Sequence, residues 1–97
     1  MRYEIFFAPE AVRDVRNLRA HLRSAVRDAI ETSLRHGPTQ ISKSRIKRLR
    51  RLSRPQFRLR VGDVRVFYDV RESTVEILAV VPKSEVSEWL KREGKPE

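Results

Sequence analysis

Three arginines, Arg58, Arg60 and Arg65, could together bind a phosphate group. Each guanidinium offers a planar fork of N–H donors that matches the geometry of phosphate oxygens. The segments 56–61 and 64–70 alternate apolar with other residues, and only a Gly-Asp step separates them. Two alternating segments joined by two residues, the first a glycine, are typical of a tight β-hairpin. The spacing therefore predicts that two neighbouring strands gather the three arginines.

The register of this hairpin decides which side chains share a face. With the Gly-Asp step as the turn, Arg60 lies opposite Arg65, and Arg58 lies opposite Phe67. Like charges that face each other weaken a sheet by up to about 1 kcal/mol, so the pair favours an anion site over surface charge offset by Asp63, Asp69 or solvent. The other face is predicted to pack on helices, and its residues are Phe57, Leu59, Val61, Val64, Val66 and Tyr68.

The chain places most of its excess positive charge just before and within the hairpin. Ten of the 22 Lys and Arg residues, and none of the 13 Asp and Glu residues, lie between Thr32 and Gly62. Such a local block indicates nucleic acid as a partner, with an ordinary solvated surface as the alternative. Phe67 could add an aromatic surface on which a base stacks, and its alternative is a half-covered sheet residue. The predicted RNA-binding residues are Lys43, Arg45, Lys47, Arg48, Arg50, Arg51, Arg54 and Phe67.

Composition argues against several other classes of site and location. The chain has no cysteine, which fits a reducing cytosol and leaves no thiolate chemistry. No apolar run approaches the roughly 18–20 residues that span a bilayer, and the basic run lacks the apolar face of a membrane-surface helix. His21 and His36 have no partner at metal-ligand spacing, so we expect neither a metal site nor a cofactor. A cytoplasmic protein without a small-molecule substrate is expected.

The length and the remaining pattern predict a single domain over residues 1–97 that contains both strands and helices. Residues 2–8 are rich in β-formers and predict a first strand. Apolar residues then recur at spacings of three and four up to Leu34, which predicts an amphipathic helix. A straight helix over 9–36 would run about 42 Å, too long for a small domain, so we expect a bend near Arg19–His21 and hence a helical hairpin.

The second half of the chain is predicted to supply most of the sheet. Residues 46–52 are ambiguous between a short strand and a helical turn, and residues 53–55 break the pattern. The run 74–81 is apolar on both faces, which predicts a central strand that Pro82 ends. Ser84 is expected to cap a short last helix, and the GKPE end is expected to fray.

This order of elements, together with RLRVGDVRVFY (58–68), resembles the RelE/ParE toxins of type II toxin–antitoxin systems. The resemblance covers nearly the whole chain. It implies an α+β fold in which a helical hairpin packs on one face of a small, twisted, mostly antiparallel sheet. It also implies a cognate antitoxin as partner. For the RelE-like branch, which the basic run favours, it implies a ribosome-dependent endoribonuclease that cuts mRNA without a metal ion.

The resemblance also assigns catalytic positions. Arg58 and Arg60 match the basic pair before the hairpin turn, and Arg65 matches the arginine after it. Lys83 stands where a second catalytic arginine usually follows the last strand, and it lacks the bidentate fork. Trp89 stands where a tyrosine often lies, and it has no hydroxyl to transfer a proton. It is either a late site residue or core.

Two alternatives to the nuclease follow from these departures. One is a ParE-like toxin that poisons DNA gyrase, and the other is a catalytically weakened RNA-binding member of the family.

Overall fold

The computed structural model describes residues 1–97 and contains one five-stranded sheet and one two-stranded sheet. The larger sheet has the strand order β1-β6-β5-β4-β2 and the smaller one pairs β3 with β7. The strands are β1 (Glu4–Phe7), β2 (Ile46–Arg48), β3 (Leu52–Arg54), β4 (Phe57–Val61), β5 (Val64–Arg71), β6 (Thr74–Pro82) and β7 (Lys95–Pro96).

Three α-helices complete the fold: α1 (Pro9–Arg16), α2 (Ala20–Leu34) and α3 (Val86–Glu93). None of them combines the length and the apolar character needed to cross a membrane. A single 3₁₀ turn, Lys83–Glu85, leads into α3. Ser84 lies inside this turn, and no side chain caps α3, so the predicted cap is wrong. The α+β class and the helical hairpin are confirmed.

The sheet is antiparallel except at one edge, where β1 runs parallel to β6. Strand β6 lies between β1 and β5 and is buried along most of its length, as its doubly apolar pattern predicts. The ambiguous segment 46–52 supplies β2, which pairs antiparallel with β4 and forms the opposite edge.

The helical hairpin bends at residues 17–19, slightly before the predicted position, and uses neither glycine nor proline. Arg19 takes an extended conformation, with φ −60° and ψ 152°, just before α2. The Arg23 guanidinium donates to the carbonyl oxygens of Arg16 at 3.2 Å and Leu18 at 3.1 Å. These carbonyls lie at the end of α1, where helix geometry leaves them without partners. A side chain from α2 therefore closes the turn.

The main core lies between this helical hairpin and one face of the larger sheet. We call this the helix-covered face. Each buried aliphatic side chain contributes about 1.5–3 kcal/mol through removal of apolar surface from water. The predicted hairpin residues except the half-buried Val61 lie in this core: Phe57, Leu59, Val64, Val66 and Tyr68 join Ala11, Val15, Val26, Ile30 and Leu34.

The other face of the sheet, here called the arginine face, is covered only in its middle. Helix α3 packs there, and Trp89 forms a second small core with Phe67, Ala79 and Val81. Helices therefore cover both faces of the sheet, because α3 covers the arginine face around Phe67. The end near the hairpin turn stays open.

The chain end is ordered by pairing with an earlier strand. Strand β7 pairs antiparallel with β3, and the Ser53 hydroxyl lies 3.3 Å from the carbonyl oxygens of Lys95 and Pro96. The expected fraying is wrong because β3 offers backbone partners that sequence composition does not reveal.

Candidate nucleic-acid interface

The hairpin that carries the three arginines has the predicted register. Arg60 pairs with Arg65, and Arg58 pairs with Phe67. Gly62 has φ +57°, a left-handed conformation that glycine adopts without steric cost. Strand β2 then places Lys47 directly opposite Arg58. Two pairs of like charge thus stand side by side at the open end of the arginine face.

These cations line an open pocket of about 480 Å³, which we call the basic pocket. The loop before β2 and the strands β2, β4 and β5 form its walls. No carboxylate lines it. The lining residues are Ile41, Ser42, Lys43, Ser44, Lys47, Arg48, Arg50, Arg58, Arg60 and Arg65.

Ser42 shapes the loop wall of the basic pocket. Its hydroxyl accepts hydrogen bonds from the backbone N–H groups of Arg45 at 3.0 Å and Ile46 at 3.1 Å. Its own N–H donates to the carbonyl of Ile46 at 3.0 Å. This structural role follows the ordinary tendency of serine to bind nearby backbone in turns.

Among the pocket cations that form no hydrogen bond with the protein, Arg58 is the most buried. Burial lowers the pKa of its guanidinium, and the neighbouring Arg65 and Arg60 lower it further. Its Nε is buried and has no hydrogen-bond partner. A buried donor without an acceptor is costly, and a negative charge beside the guanidinium would offset part of the cost of burying it.

The ion pairs of the molecule all lie outside the basic pocket. Arg35 pairs with Glu31, and Arg92 pairs with Glu93. The third paired arginine, Arg54, is described below. The cations of the pocket therefore remain uncompensated, contrary to the alternative in which nearby carboxylates offset the arginines.

Two of the lining arginines are held by backbone carbonyls. Arg65 is only 8% exposed, and its Nη1 donates to the carbonyls of Gly62 at 2.8 Å and Val64 at 3.1 Å. Arg48 donates through Nη1 to two carbonyls at 2.9 Å, and its guanidinium carbon lies 5.4 Å from the centre of the Phe57 ring. These bonds fix the positions of the two side chains at the pocket wall.

Arg54 was predicted to bind RNA, and the structure places it elsewhere. Its guanidinium lies 3.7 Å from carboxylate oxygens of Asp69 and of Glu76, at the far end of the arginine face. Burial raises the pKa of Asp69, while the N–H of Gln56 and the charge of Arg54 partly oppose that rise. Arg54 thus lies in a region that contains both carboxylates and cations, and it does not line the basic pocket.

Three further predicted residues lie at the margins of the pocket or beyond it. Arg45 lines a neighbouring groove beside α2 with Asp28. Arg51 is exposed in the turn between β2 and β3, with φ +64°. Lys83 is exposed after β6, and its N–H donates to the carbonyl of Asp63 at 2.7 Å. Its backbone therefore touches the hairpin turn, although its side chain does not line the pocket.

The two aromatic candidates are core residues. Phe67 is fully buried, so it offers no face to a base, and the predicted stacking surface is wrong. Trp89 is 6% exposed, stacks on Phe67 and donates through Nε1 to a carboxylate oxygen of Glu10 at 2.8 Å. Of the two interpretations of Trp89, the structure supports the core one, because α3 uses this side chain to dock on the sheet.

The pocket can bind the oxygens of a phosphate backbone and stabilise the negative charge that develops on the non-bridging oxygens during cleavage. Its walls contain no histidine, tyrosine or carboxylate that could act as a general base. No group of three or more His, Cys, Asp or Glu side chains is placed to hold a metal ion. The pocket residues can therefore act by binding and orienting phosphate groups and by stabilising negative charge.

A family model described as "ParE toxin of type II toxin-antitoxin system, parDE" matches residues 5–86. No curated protein matches the sequence. Among solved structures, a chain of the RelBE2 toxin–antitoxin complex (Rv2865-2866) of Mycobacterium tuberculosis is similar, with 28% identity and a TM-score of 0.73. The match covers 84% of this chain and 99% of that one.

Two archaeal complexes share the fold at lower identity. A chain of the RelB–RelE antitoxin–toxin complex of Methanococcus jannaschii has 22% identity and a TM-score of 0.67, covering 87% of this chain and 96% of that chain. A chain of the RelE–RelB complex of Pyrococcus horikoshii OT3 has 24% identity and a TM-score of 0.64, covering 86% and 97%.

Proposed function

The chain belongs to the RelE/ParE family of type II toxin–antitoxin toxins, and from this premise we propose that it cleaves mRNA on the ribosome without a metal ion. The observation that carries the proposal is the basic pocket, where Lys47, Arg58, Arg60 and Arg65 converge and no carboxylate lines the wall. Such an uncompensated cluster suits the phosphate backbone of RNA.

The proposed reaction uses the substrate's own 2′-hydroxyl. Its oxygen attacks the adjacent phosphorus, and the bond from phosphorus to the 5′-oxygen breaks, which yields a 2′,3′-cyclic phosphate and a 5′-hydroxyl. The proton lost by the 2′-hydroxyl and the proton gained by the leaving oxygen pass through solvent or ribosomal groups, since the pocket lacks a conventional base. Arg58 and Arg60 bind the non-bridging oxygens, and Arg65 holds the turn that aligns them.

A ParE-like action on gyrase is the second candidate. The description of the matching family model, parDE, favours it, as does the absence of a general base in the pocket. On this reading the basic pocket would contact acidic protein or DNA in place of RNA.

An antitoxin is the expected protein partner, because the similar solved structures are toxin–antitoxin complexes. We propose that a small acidic or amphipathic antitoxin covers the basic pocket. Such partners often order only on binding, which lets a short segment cover a wide surface.

The decisive experiment compares two double variants that each remove two positive charges. Arg58→Gln with Arg60→Gln alters the basic pocket, whereas Arg13→Gln with Arg27→Gln alters exposed positions on α1 and α2. On induced expression, the first should lose growth arrest and mRNA cleavage at mapped positions, and the second should keep both. Retained cleavage in the pocket variant would contradict the proposal.

The same culture separates the two candidates. Intact transcripts with trapped DNA breaks would indicate gyrase poisoning, and cut transcripts without breaks would indicate the nuclease. Thermal unfolding of both double variants controls for loss of the fold.

A further inference from the structure

We propose that the basic pocket also binds compact polyphosphates, meaning diphosphate or triphosphate groups that are either free or carried by a nucleotide. This inference does not depend on the proposed nuclease activity, because it concerns the charge and shape of the pocket alone.

The first argument is the density of like charge. Lys47 faces Arg58 across one strand pair, and Arg60 faces Arg65 across the next. Residues that face each other in a sheet have Cβ atoms about 4.5–5.5 Å apart. Four cations therefore share a small area, and Lys43, Arg48 and Arg50 line the same pocket. Each cation raises the energy of its neighbours, so a ligand with several negative charges is favoured most.

The second argument compares the charge of possible ligands. A phosphodiester of RNA carries one negative charge, and a ribose separates it from the next one. A pyrophosphate or triphosphate carries about three or four negative charges on the oxygens of phosphoryl groups that are joined by bridging oxygens. Only the compact group can set several charges among facing cations within an open pocket of about 480 Å³.

The third argument is the absence of any surface that would read a base. Phe67 and Trp89, the two aromatic candidates on the arginine face, are both buried. Ile41 is the only apolar residue that lines the pocket. A ligand is therefore recognised through its phosphates, and a nucleoside attached to them should add little affinity.

The fourth argument is the partly buried guanidinium of Arg58, which forms no ion pair. The buried Nε of Arg58 has no partner in the protein, while Arg65 is anchored by the carbonyls of the turn. An anion beside the Arg58 guanidinium would offset the cost of burying its charge, and Arg65 would need little further ordering because the turn already holds it.

Occupancy by a polyphosphate would block the same cations that RNA would need. Polyphosphates and RNA would therefore compete for the pocket. Phosphate compounds at millimolar concentration in the cell would lower the fraction of molecules whose pocket is free to bind RNA.

The test titrates the purified full chain with five probes at constant ionic strength and without divalent cations. The probes are orthophosphate, inorganic pyrophosphate, inorganic tripolyphosphate, adenosine triphosphate and adenosine. Calorimetry and the shift in Tm measure the binding of each probe. Affinity should rise at least tenfold from orthophosphate to pyrophosphate, and adenosine should not bind. Equal affinity for orthophosphate and pyrophosphate would overturn the proposal.

Comparison of inorganic tripolyphosphate with adenosine triphosphate separates the two sources of the group. Similar affinities support recognition of phosphate alone. Much tighter binding of the nucleotide would overturn the claim that no part of the pocket reads the nucleoside.

Matched variants separate a built pocket from general attraction to a basic protein. Lys47→Gln with Arg58→Gln should weaken pyrophosphate binding at least tenfold, and Arg13→Gln with Arg27→Gln should leave it within twofold. Equal weakening in both would overturn the proposal. NMR shifts of arginine Nε–H groups in the unaltered chain give a readout that does not depend on variant folding, and shifts absent at Arg58 would also count against it.

RNA cleavage plays no part in these measurements. A chain that binds pyrophosphate but cuts no transcript would refute the nuclease alone, and a chain that cuts without binding pyrophosphate would refute this inference alone.

Discussion

Trp89 lies flat against Phe67, with ring centroids 4.8 Å apart and planes inclined by 9°. The contact joins α3 to β5 on the arginine face, and the indole N–H reaches across to Glu10 on α1. One side chain thus ties the last helix to both the sheet and the first helix. It marks the border where the covered part of that face ends and the basic pocket begins.

Replacement of Trp89 should therefore act on stability. Trp89→Ala removes a buried aromatic side chain and should lower the free energy of unfolding by about 3–5 kcal/mol. Trp89→Phe keeps an aromatic ring against Phe67 and loses the bond to Glu10, so its cost should be about 1 kcal/mol. Urea unfolding of both variants measures the difference.

The toxicity of the Trp89→Phe variant provides the control for a role in the proposed activity. If the folded Trp89→Phe protein loses toxicity while its stability stays close to the parent value, the assignment of this residue to the core alone is wrong.

Tyr68 should make the protein sensitive to alkaline pH. Its hydroxyl donates to the carbonyl of Pro38 at 2.6 Å, and burial raises its pKa above the usual value of 10. Above that pH the unfolded chain releases the phenolic proton while the folded chain retains it. The unfolded state then binds fewer protons, so the free energy of unfolding falls as pH rises.

Tyr68→Phe removes this titration and also the hydrogen bond. It should cost about 1–3 kcal/mol near neutral pH, because the buried carbonyl loses its donor. The loss of stability between pH 9 and 11, roughly the range around the usual tyrosine pKa, should be smaller than in the parent chain. An identical pH profile in the two proteins would show that the phenol does not contribute.

Asp14 should tolerate loss of its charge better than loss of its oxygen. Its carboxylate accepts a hydrogen bond from the N–H of Val80 at 2.9 Å. Burial raises its pKa, with Glu10 and Glu85 adding to the rise and the bond from Val80 opposing it. Asp14→Asn keeps an acceptor without the disfavoured charge, so its stability at pH 7 should equal or exceed that of the parent.

Asp14→Ala gives the matched comparison, since it leaves the Val80 N–H without this acceptor and should cost about 1 kcal/mol or more. The raised pKa means that the folded chain holds this proton at pH values where the unfolded chain has released it. Stability from this group therefore falls as pH rises above 3.8, the usual aspartate value, and Asn should remove that slope. Equal Tm values for the Ala and Asn variants would contradict this account.

Gly62 should resist substitution because of its backbone conformation. A Cβ at this position meets no atom within 4 Å, yet φ is +57°. Gly62→Ala should therefore cost about 1–2 kcal/mol through left-handed strain alone, and Gly62→Asn should cost less because Asn tolerates that region. Thermal unfolding measures both, and an Ala variant as stable as the parent would mean that the turn changes its conformation.

Local sequence patterns predict the hairpin almost completely. The turn lies between two adjacent alternating segments, so residues 57–68 fix their own register without help from distant parts of the chain. The three arginines follow from that register. The helical hairpin is predicted for a similar reason, although its bend depends on Arg23 reaching back to the end of α1, a contact that no propensity scale contains.

Long-range contacts account for the failures. Phe67 alternates onto the arginine face as predicted, and only the docking of α3 through Trp89 buries it. Arg54 belongs to the basic run in sequence, yet strands β5 and β6 bring Asp69 and Glu76 to it. A count of charges along the chain therefore overstates the positive charge of the pocket. Such a count does not show which distant carboxylates the fold brings next to a basic residue.

The parallel pairing of β1 with β6 constrains when the larger sheet can form during synthesis. Strand β6 lies between β1 and β5 and is the only strand that pairs with β1. Strand β1 therefore has no strand partner until β6 has been synthesised. A nascent chain that has not yet emerged past residue 82 lacks a complete core. Residues up to Pro82 must therefore leave the ribosome before the larger sheet can close, and a chain that stops before β6 leaves β1 without a neighbouring strand.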